Sequence, residues 1–301
     1  MNPALNTDLD SCGKRRSDNE GIHMKANWYK KWHAILLVLA LVAITAGCAG
    51  LETQSKPSAV ADIRPGFLVG YLPPDALPDS LALLSPPPAA GSAAQTADEE
   101  ATRKTRVLRG TPRWALATED DDLMLPHAAG TFSCALNAPI TEEETPRLYT
   151  LLRRSLADAA RSTYAAKDHY RRVRPFLVNM EPLCAPEAER ERLTKSPSYP
   201  SGHSALGWAW ALILTEIAPE QTDAVLTRGR AYGQSRVICN VHWQSDVDAG
   251  QVIGAATVAR LHADPAFRAD LEAAKAELAA ARAKGLKPAR DCTKEAAALA
   301  R

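Results

Sequence analysis

The feature that most constrains the fold is the apolar run at residues 202–216, "GHSALGWAWALILTE". Its length suits a helix, and apolar side chains occupy nearly every face, so this helix should be central and buried. No alternation of polar and apolar residues, typical of strands, persists anywhere in the chain. We therefore predict an all-α fold, a single-domain helical bundle built around residues 202–216.

Further helices are predicted on both sides of that run. Thr145-Pro146 is typical of a helix start, with an N-cap residue followed by proline at the first helical position. This helix should continue to about Arg172, because Pro175 disfavours helical geometry at Arg174. The remaining predicted helices span about 221–238, 242–261 and 266–284.

Overall charge argues against two classes of partner. Lys and Arg number 36 and Asp and Glu 35 among 301 residues, which leaves a net charge of +1. A chain with so little net charge has no overall attraction for polyanions. Neither nucleic acid nor an anionic membrane surface is therefore an expected partner.

The N-terminus has the pattern of an export signal. From Met24 the chain reads "MKANWYKKWHAILLVLALVAITAGCAG", in which lysines precede an apolar stretch from Ala34 to Ala46. That stretch is short for a membrane span, and small residues follow it, as at a signal-peptide cleavage site. We interpret residues 1–48 as leader and signal peptide, with Met24 as the favoured start, and expect a periplasmic protein.

Cys48 leaves two modes of export open. The stretch "TAGC" resembles a lipoprotein box, in which Cys48 would carry a lipid anchor, but Thr45 stands where leucine is usual. The small residues around Cys48 would equally suit ordinary cleavage. Membrane attachment is expected only through the signal or through such an anchor.

Four cysteines remain in the mature part: Cys134, Cys184, Cys239 and Cys292. In an oxidising compartment they are expected to form two disulfides, and three connectivities are open. The sequence contains neither a CxxC pair nor a Cys/His ligand spacing, so no zinc site is expected.

The residues that precede the central helix predict an anion site. If Ser201 is the N-cap, the first backbone N–H groups of the helix are unpaired, and such a terminus binds phosphate. Gly202 permits close approach to the backbone, and His203 beside it has a proton to give. Taken alone, the stretch would equally fit a plain helix cap with an incidental histidine.

The stretch "GQSRVICNVHWQSDVDAG" at 233–250 carries a second group of candidates. His242 and Asp246 are four apart and share a face if they lie on a helix. The carboxylate could then accept the Nδ1 proton and leave Nε2 unprotonated, as in sites that use a nucleophile with an orienting partner. Arg236 offers a bidentate fork for phosphate. A surface His–Asp pair would fit this stretch alone about as well.

The third stretch is "KDHYRRVRP" at 167–175. Lys167 and Arg174 are seven apart, about two helical turns, and so should face the same way. Arg171 and Arg172 between them are interpreted as solvated surface charges.

Together these stretches resemble a known three-part pattern. The pattern consists of Lys167 with six residues before Arg174-Pro175, then Pro200-Ser201-Gly202-His203, then Ser235-Arg236 with five residues before His242 and three before Asp246. It is the signature of the phosphatidic acid phosphatase type 2 / vanadium haloperoxidase superfamily. "SYPSGHS", "GWAWALIL" and "YLPPDALPDSLALL" are similar, within it, to the bacterial class A non-specific acid phosphatases, and the resemblance covers about residues 60–285.

The resemblance implies a reaction and a role for each matching residue. His242 would attack phosphorus to form a phosphohistidine, Asp246 would orient it, and His203 would protonate the leaving oxygen and then activate water. The phosphate oxygens would be held by Lys167, Arg174, Ser201, the Gly202 backbone and Arg236. Three cations would take the place of metal ions, so no cofactor is expected.

The resemblance also implies a helical bundle of the superfamily's type and an exported acid phosphatase, often homo-oligomeric, that hydrolyses small phosphate monoesters and has a possible phosphotransferase side activity. The pattern alone leaves open a vanadate-dependent haloperoxidase. A lipid phosphate phosphatase is disfavoured, because no apolar span of about 20 residues follows the signal.

The expected organisation is a leader (1–48), a Pro/Ala-rich segment (49–100), a catalytic domain (101–285) and a tail (286–301).

Overall fold

The computed structural model describes residues 62–64, 67–124 and 126–300, and nearly all of its regular structure is helical. The all-α prediction is confirmed. The predicted leader and signal peptide, with Cys48, lie outside the described residues. The helices are α1 (Ser80–Leu83), α2 (Ala93–Lys104), α3 (Pro112–Glu119), α4 (His127–Gly130), α5 (Ser133–Leu136), α6 (Pro146–Arg161), α7 (Tyr164–Tyr170), α8 (Pro175–Asn179), α9 (Glu187–Lys195), α10 (Gly202–Ile217), α11 (Thr222–Ile238), α12 (Gln244–Leu261), α13 (Pro265–Ala283) and α14 (Cys292–Leu299).

Strands are confined, within the described part of the chain, to one short antiparallel pair. Strand β1 (Asp62–Arg64) pairs with β2 (Phe67–Leu68) ahead of the first helix. Short 3₁₀ turns at Pro74–Ala76, Thr105–Leu108 and Pro219–Gln221 join helices.

Helix α10 is the centre of the bundle, as the apolar run predicts. It packs against α6, α11 and α12, and Trp210 at its middle is fully buried. The indole Nε1 of Trp210 donates to the backbone oxygen of Leu152 on α6, 2.9 Å away, which satisfies its polar atom in the core. Gly250 on α12 lies against the start of α10, where any side chain would collide with the backbone oxygen of Ser201. Two helix starts are thereby brought close together.

The helix predicted from Thr145 to about Arg172 is interrupted. Helix α6 ends at Arg161, and the hydroxyls of Ser162 and Thr163 donate to the backbone oxygens of the preceding turn at 2.8 and 2.7 Å. Such hydroxyls compete with the helical hydrogen bonds and favour a break. A short α7 follows and ends at Tyr170, and the next residue, Arg171, has a left-handed φ of 47°. Arg174 stands outside it in extended backbone, as Pro175 predicts, so the helical spacing that was expected to make Lys167 and Arg174 face the same way is not present.

Part of the Pro/Ala-rich segment packs on the bundle. The backbone N–H groups of Tyr71 and Leu72 donate to the carboxylate of Asp158 on α6, at 2.8 and 3.1 Å. Leu84 is buried and Leu77 packs against the core, whereas the neighbouring leucines of α1 are exposed. Helix α2 runs through residue 100, where the segment was expected to end.

Disulfides join Cys134 to Cys292 and Cys184 to Cys239, which selects one of the three open connectivities. The first attaches α14, in the predicted tail, to α5 near the core. The second holds the loop before α9 against the end of α11, close to the site described below. In the described ranges no helix is long and apolar enough to cross a bilayer.

Candidate active site

The three sequence stretches converge on one cavity of about 430 Å³. Five of the eight predicted site residues line it: Lys167, Arg174, Gly202, His203 and His242. The other three, Ser201, Arg236 and Asp246, are fully buried directly behind its wall. The structure therefore brings the whole predicted set together.

Helix α10 begins at the cavity wall. Ser201 is its N-cap, as predicted, and its hydroxyl accepts the backbone N–H of Ser204 at 3.2 Å. A Cβ added at Gly202 would meet only the hydroxyl of Thr163, at 3.9 Å, so a side chain there would have open space before it. Because Gly202 lines the cavity, that space is where an anion would approach the N–H groups of the first turn.

His242 lies in a turn, and not on the helix predicted to begin there. Helix α12 starts two residues later at Gln244, and Asn240 before the turn has a left-handed φ of 60°. Asp246 in the first turn of α12 reaches back: its Oδ2 accepts the backbone N–H of Trp243 at 2.8 Å and lies 3.4 Å from His242 Nδ1. The predicted His–Asp pair is present, but a helix cap forms it.

The protonation of the His242 ring follows from its partners. Arg174 Nη1 lies 3.0 Å from His242 Nε2. A guanidinium can only donate, so Nε2 is the unprotonated acceptor and the ring proton is on Nδ1, beside Asp246. Burial, then the charges of Arg174, Lys167 and Arg236, hold the pKa of His242 well below its ordinary value. The ring is therefore neutral, and its Nε2 lone pair is directed at Arg174, which lines the cavity.

The cations of the site are crowded together and poorly compensated. Lys167 Nζ donates to the backbone oxygen of Pro197 at 2.9 Å, and Arg174 Nη1 donates to that of Val241 at 2.8 Å. Burial, then the charge of Arg174, lowers the pKa of Lys167 to about 7. Burial, then the charge of Arg236, lowers the pKa of Arg174 to about 9. An anion bound between them would oppose the lowering of both pKa values.

Arg236 is the least satisfied of these cations. Its side chain is 0% exposed, and among the described residues its Nε and Nη1 have no hydrogen-bond partner. Buried donors without acceptors are costly, and here several converge beside a cavity that an anion could enter. The arrangement has the donors that a tetrahedral oxyanion requires. Within the described ranges, no group of three His, Cys, Asp or Glu side chains could hold a metal ion.

Sequence reasoning missed Asp121, the carboxylate nearest to Arg236. Arg236 Nη2 lies 2.6 Å from Asp121 Oδ1, and the backbone oxygen of Asp121 lies 3.1 Å from His203 Nε2. A carbonyl only accepts, so this nitrogen of His203 carries the proton. Burial, then the charge of Arg236, lowers the pKa of His203 to about 3, although Asp121 acts in the opposite direction.

A sequence signal for Asp121 does exist. The acidic run at residues 119–122 lies at the C-terminal end of α3, where the helix dipole disfavours negative charge. The run is held there by Asp120, whose carboxylate accepts from Arg228 at 3.1 Å and from the hydroxyl of Ser235 at 2.6 Å. Acidic residues kept at an unfavourable helix end indicate partners elsewhere in the fold.

Arg172 was predicted to be a surface charge, and that prediction is wrong. Its side chain is only 8% exposed, and Nη1 donates to Asp246 Oδ1 at 2.7 Å. Nη2 donates to Asp98 on α2 at 2.8 Å and to Gln95 at 2.7 Å. Arg171 is exposed, as predicted. No local pattern distinguishes the two arginines, because the partners of Arg172 come from distant segments.

The rest of the cavity lining mixes apolar and polar side chains. It includes Leu123, Leu156 and Tyr164, the last 54% exposed, together with Asp168 and with Arg192 on α9. A group attached to the bound anion would therefore meet a mixed surface without a closely fitting polar pattern.

Comparison with known proteins agrees with this geometry. Residues 148–269 match the PAP2 superfamily. The chain is 44% identical over 239 residues, 77% of its length and 95% of the relative, to the non-specific acid phosphatase of Providencia stuartii. It is 42% identical over 204 residues, 68% of its length and 77% of the relative, to the acid phosphatase of Zymomonas mobilis. A non-specific acid phosphatase of Salmonella typhimurium is 42% identical over 196 residues, 65% of this chain and 78% of the relative.

Proposed function

This chain belongs to the PAP2 superfamily and to its bacterial non-specific acid phosphatases, and from that premise we propose that it hydrolyses phosphate monoesters through a phosphohistidine at His242. Acid phosphatase activity follows from the family. The covalent route, the roles of individual residues, metal independence and export are the proposal. The resemblance to named acid phosphatases favours this reaction over halide oxidation.

The observation that carries the covalent route is the lone pair on His242 Nε2. In the free enzyme it accepts a hydrogen bond from Arg174, which lines the cavity, and a bound phosphate that takes over this donor would free it, while the proton stays on Nδ1 beside Asp246. In the first step Nε2 attacks phosphorus in line, the P–N bond forms and the ester P–O bond breaks. His203 is neutral in the free enzyme, with its pKa lowered to about 3, and would gain a second proton when the phosphate dianion binds; this imidazolium gives one proton to the departing alcohol oxygen. The phosphorylated ring carries a positive charge, which Asp246 stabilises.

The second step reverses the use of His203. Now neutral, its ring takes a proton from a water molecule, the water oxygen attacks phosphorus, and the P–N bond breaks. Inorganic phosphate leaves, His242 is neutral again, and His203 is again protonated. An alcohol in the place of water would give a new ester by the same steps, which is the phosphotransferase side activity.

Charge stabilisation in this scheme comes from the protein's own cations. Lys167, Arg174 and Arg236, with the N–H groups at the start of α10 and Ser201 behind them, would hold the non-bridging oxygens. Positioning and charge are most of what phosphoryl transfer requires. The unpartnered donors of Arg236 support this role, because bound phosphate would supply their missing acceptors. We propose that no metal ion takes part.

Export is proposed from the sequence upstream of the described residues. The charged and apolar pattern from Met24 to Ala46 supports a signal peptide, and two disulfides in the bundle suit an oxidising compartment such as the periplasm. Metabolic labelling with palmitate distinguishes a lipid anchor at Cys48 from ordinary cleavage. Light scattering of the purified protein tests the homo-oligomer that the family resemblance implies.

The proposed reaction is tested by hydrolysis of a panel of phosphate monoesters by the purified protein, with and without excess EDTA. Hydrolysis should be unchanged by the chelator. Activity that is lost on chelation and restored by Mg²⁺ or Zn²⁺ would contradict the cation-based mechanism. Hydrolysis of no monoester, with halide oxidation in the presence of vanadate, would contradict the function itself.

A further inference from the structure

Asp121 contacts two groups of the site at once, although no part of the signature includes it. Its side chain is 4% exposed, and Oδ1 lies 2.6 Å from Arg236 Nη2 and 3.9 Å from His203 Nε2. Its backbone oxygen lies 3.1 Å from the same nitrogen of His203. Arg236 is one of the proposed phosphate-binding cations, and His203 is the proposed proton donor.

The position of Asp121 is built into the fold. Its backbone N–H donates to the oxygen of Thr118 at the end of α3, at 3.2 Å. The preceding Asp120 is fixed to α11 by Arg228 and Ser235. Ser235 and Arg236 are adjacent on α11, so the hydrogen bond between Asp120 and Ser235 also places Asp121 beside Arg236.

The groups that face Asp121 are mostly cationic. Arg236 comes from α11, His203 from α10, and the charge of Arg192 on α9 also acts on it. Burial alone would raise the pKa of Asp121, but Arg236 and His203 outweigh burial and hold it below its ordinary value. In the free enzyme Asp121 is therefore a carboxylate that neutralises the otherwise uncompensated Arg236.

A phosphate group needs the same two partners. When a phosphate dianion approaches Arg236, it meets a buried carboxylate already paired with that arginine, and like charges at short range in a poorly solvated site repel strongly. We propose that Asp121 competes with phosphate for Arg236 and His203, and that phosphate binding is coupled to the uptake of a proton by Asp121. This inference rests on the proposed function, since it takes Arg236 and His203 as the phosphate site.

The coupling predicts how affinity depends on pH. The pKa of Asp121 is low in the free enzyme and rises in the complex, where phosphate replaces Arg236 as its neighbour. Between those two values, each unit of increasing pH weakens phosphate binding by up to about tenfold through this one group. Lys167, with its pKa of about 7, the two histidines and phosphate itself also titrate. Because an Asp121 variant keeps all of these groups, their effects cancel in the ratio of the phosphate affinities of variant and wild type. The pH dependence that remains in this ratio is that of Asp121.

The test compares inhibition by inorganic phosphate in wild-type enzyme and Asp121→Asn between about pH 4 and 8. Asparagine keeps the shape and removes the charge. The variant should bind phosphate at least about tenfold more tightly than wild type near pH 7, and the two should converge toward pH 4. Asp122→Asn is the matched control, since this neighbouring carboxylate is exposed, accepts only the backbone N–H of Met124 and has no ion pair among the described residues. Its ratio to wild type should stay flat with pH.

Weaker phosphate binding by Asp121→Asn at every pH would mean that Asp121 positions Arg236, and would overturn the competition. A ratio independent of pH would overturn the coupling. If the variant folds only when phosphate is present, Asp121→Ala is measured in the same way. If neither variant folds, infrared difference spectra of sulfate binding to wild-type enzyme near pH 5.5 decide: a new band of a protonated carboxyl group supports the coupling, and its absence overturns it.

These outcomes are separable from failure of the proposed function. A wild-type enzyme that hydrolyses no phosphate ester contradicts the function. A wild-type enzyme that hydrolyses esters normally, but whose ratio to Asp121→Asn does not change with pH, contradicts this inference alone.

Discussion

Two buried histidines line one cavity, and their surroundings prepare them for opposite chemistry. His242 lies in a turn, whereas His203 lies at the start of α10. At His242, Nε2 faces the donor Arg174 and must be unprotonated. At His203, Nε2 faces the backbone oxygen of Asp121 and must carry a proton. Burial lowers the pKa of both rings. The donor or acceptor character of one neighbour therefore decides which nitrogen of each neutral ring carries the proton.

The largest expected effect in this comparison is the loss of His242. His242→Ala removes the attacking lone pair, so kcat for p-nitrophenyl phosphate should fall by at least about ten-thousandfold. Radiolabelled substrate quenched in alkali, where a phosphohistidine survives, should label the wild type and not the variant. His262→Ala, at a partly exposed histidine paired with Glu216, is the control and should remain active. Undiminished labelling of His242→Ala would assign the nucleophile elsewhere.

Asp246→Asn tests whether the tautomer of His242 matters. Without the carboxylate, nothing favours the proton on Nδ1, and kcat should fall by about a thousandfold or more while the fold is kept. Asp248→Asn, two residues later at an exposed position, is the matched control and should be close to wild type. An equal effect of both substitutions on kcat would show that the His–Asp pair does not orient the ring.

Removal of His203 should depend on the leaving group. In His203→Ala, hydrolysis of alkyl phosphates should slow by about a hundredfold to ten-thousandfold, because the alkoxide needs a proton as it leaves. p-Nitrophenyl phosphate should lose much less, since p-nitrophenolate is a stable anion. A plot of log kcat against leaving-group pKa should be steeper for the variant than for wild type. Parallel plots would remove His203 from the role of general acid.

The smallest of these effects concerns Arg172, which acts through Asp246. Arg172→Gln should lower kcat by about tenfold to a hundredfold through misplacement of the His–Asp pair. Inhibition by phosphate should change little, because Arg172 is not one of the residues that line the cavity. Arg171→Gln is the matched control on the adjacent, exposed side chain and should have no effect. A loss of phosphate affinity without a loss of kcat would show that Arg172 serves the anion site directly.

Local errors in the sequence prediction did not keep the predicted residues from meeting at one cavity. Lys167 and Arg174 were expected to face the same way through helical spacing, and His242 was expected on a helix with Asp246, and neither backbone geometry is found. The residues still meet. Arg174 reaches the cavity from the extended segment before Pro175, and His242 reaches it from the turn before α12. Residue types at fixed intervals are a stronger guide to this site than the backbone geometry assumed between them.

Arg172 and Asp121 show the opposite failure. Arg172 stands beside Arg171 in a run of charges, and only its contact with Asp98, 74 residues away, distinguishes it. Asp121 lies in an acidic run whose partner Arg236 is more than a hundred residues further along the chain. A single sequence records each charge but not its neighbour, so Arg172 was wrongly assigned to the surface and Asp121 was not singled out.

The sequence by itself determined the helical class, the central helix, the cap at Ser201 and the eight candidate residues. These depend on spacing, on apolar periodicity and on the preferences of individual residues, which act over a few positions along the chain. Only the tertiary structure decided the pairing of the cysteines, the protonated nitrogen of each histidine and the partners of Arg172 and Asp121. Those properties depend on which distant groups are buried together, because the free energy of a charge or a bound proton is set by burial and by the groups within a few ångströms.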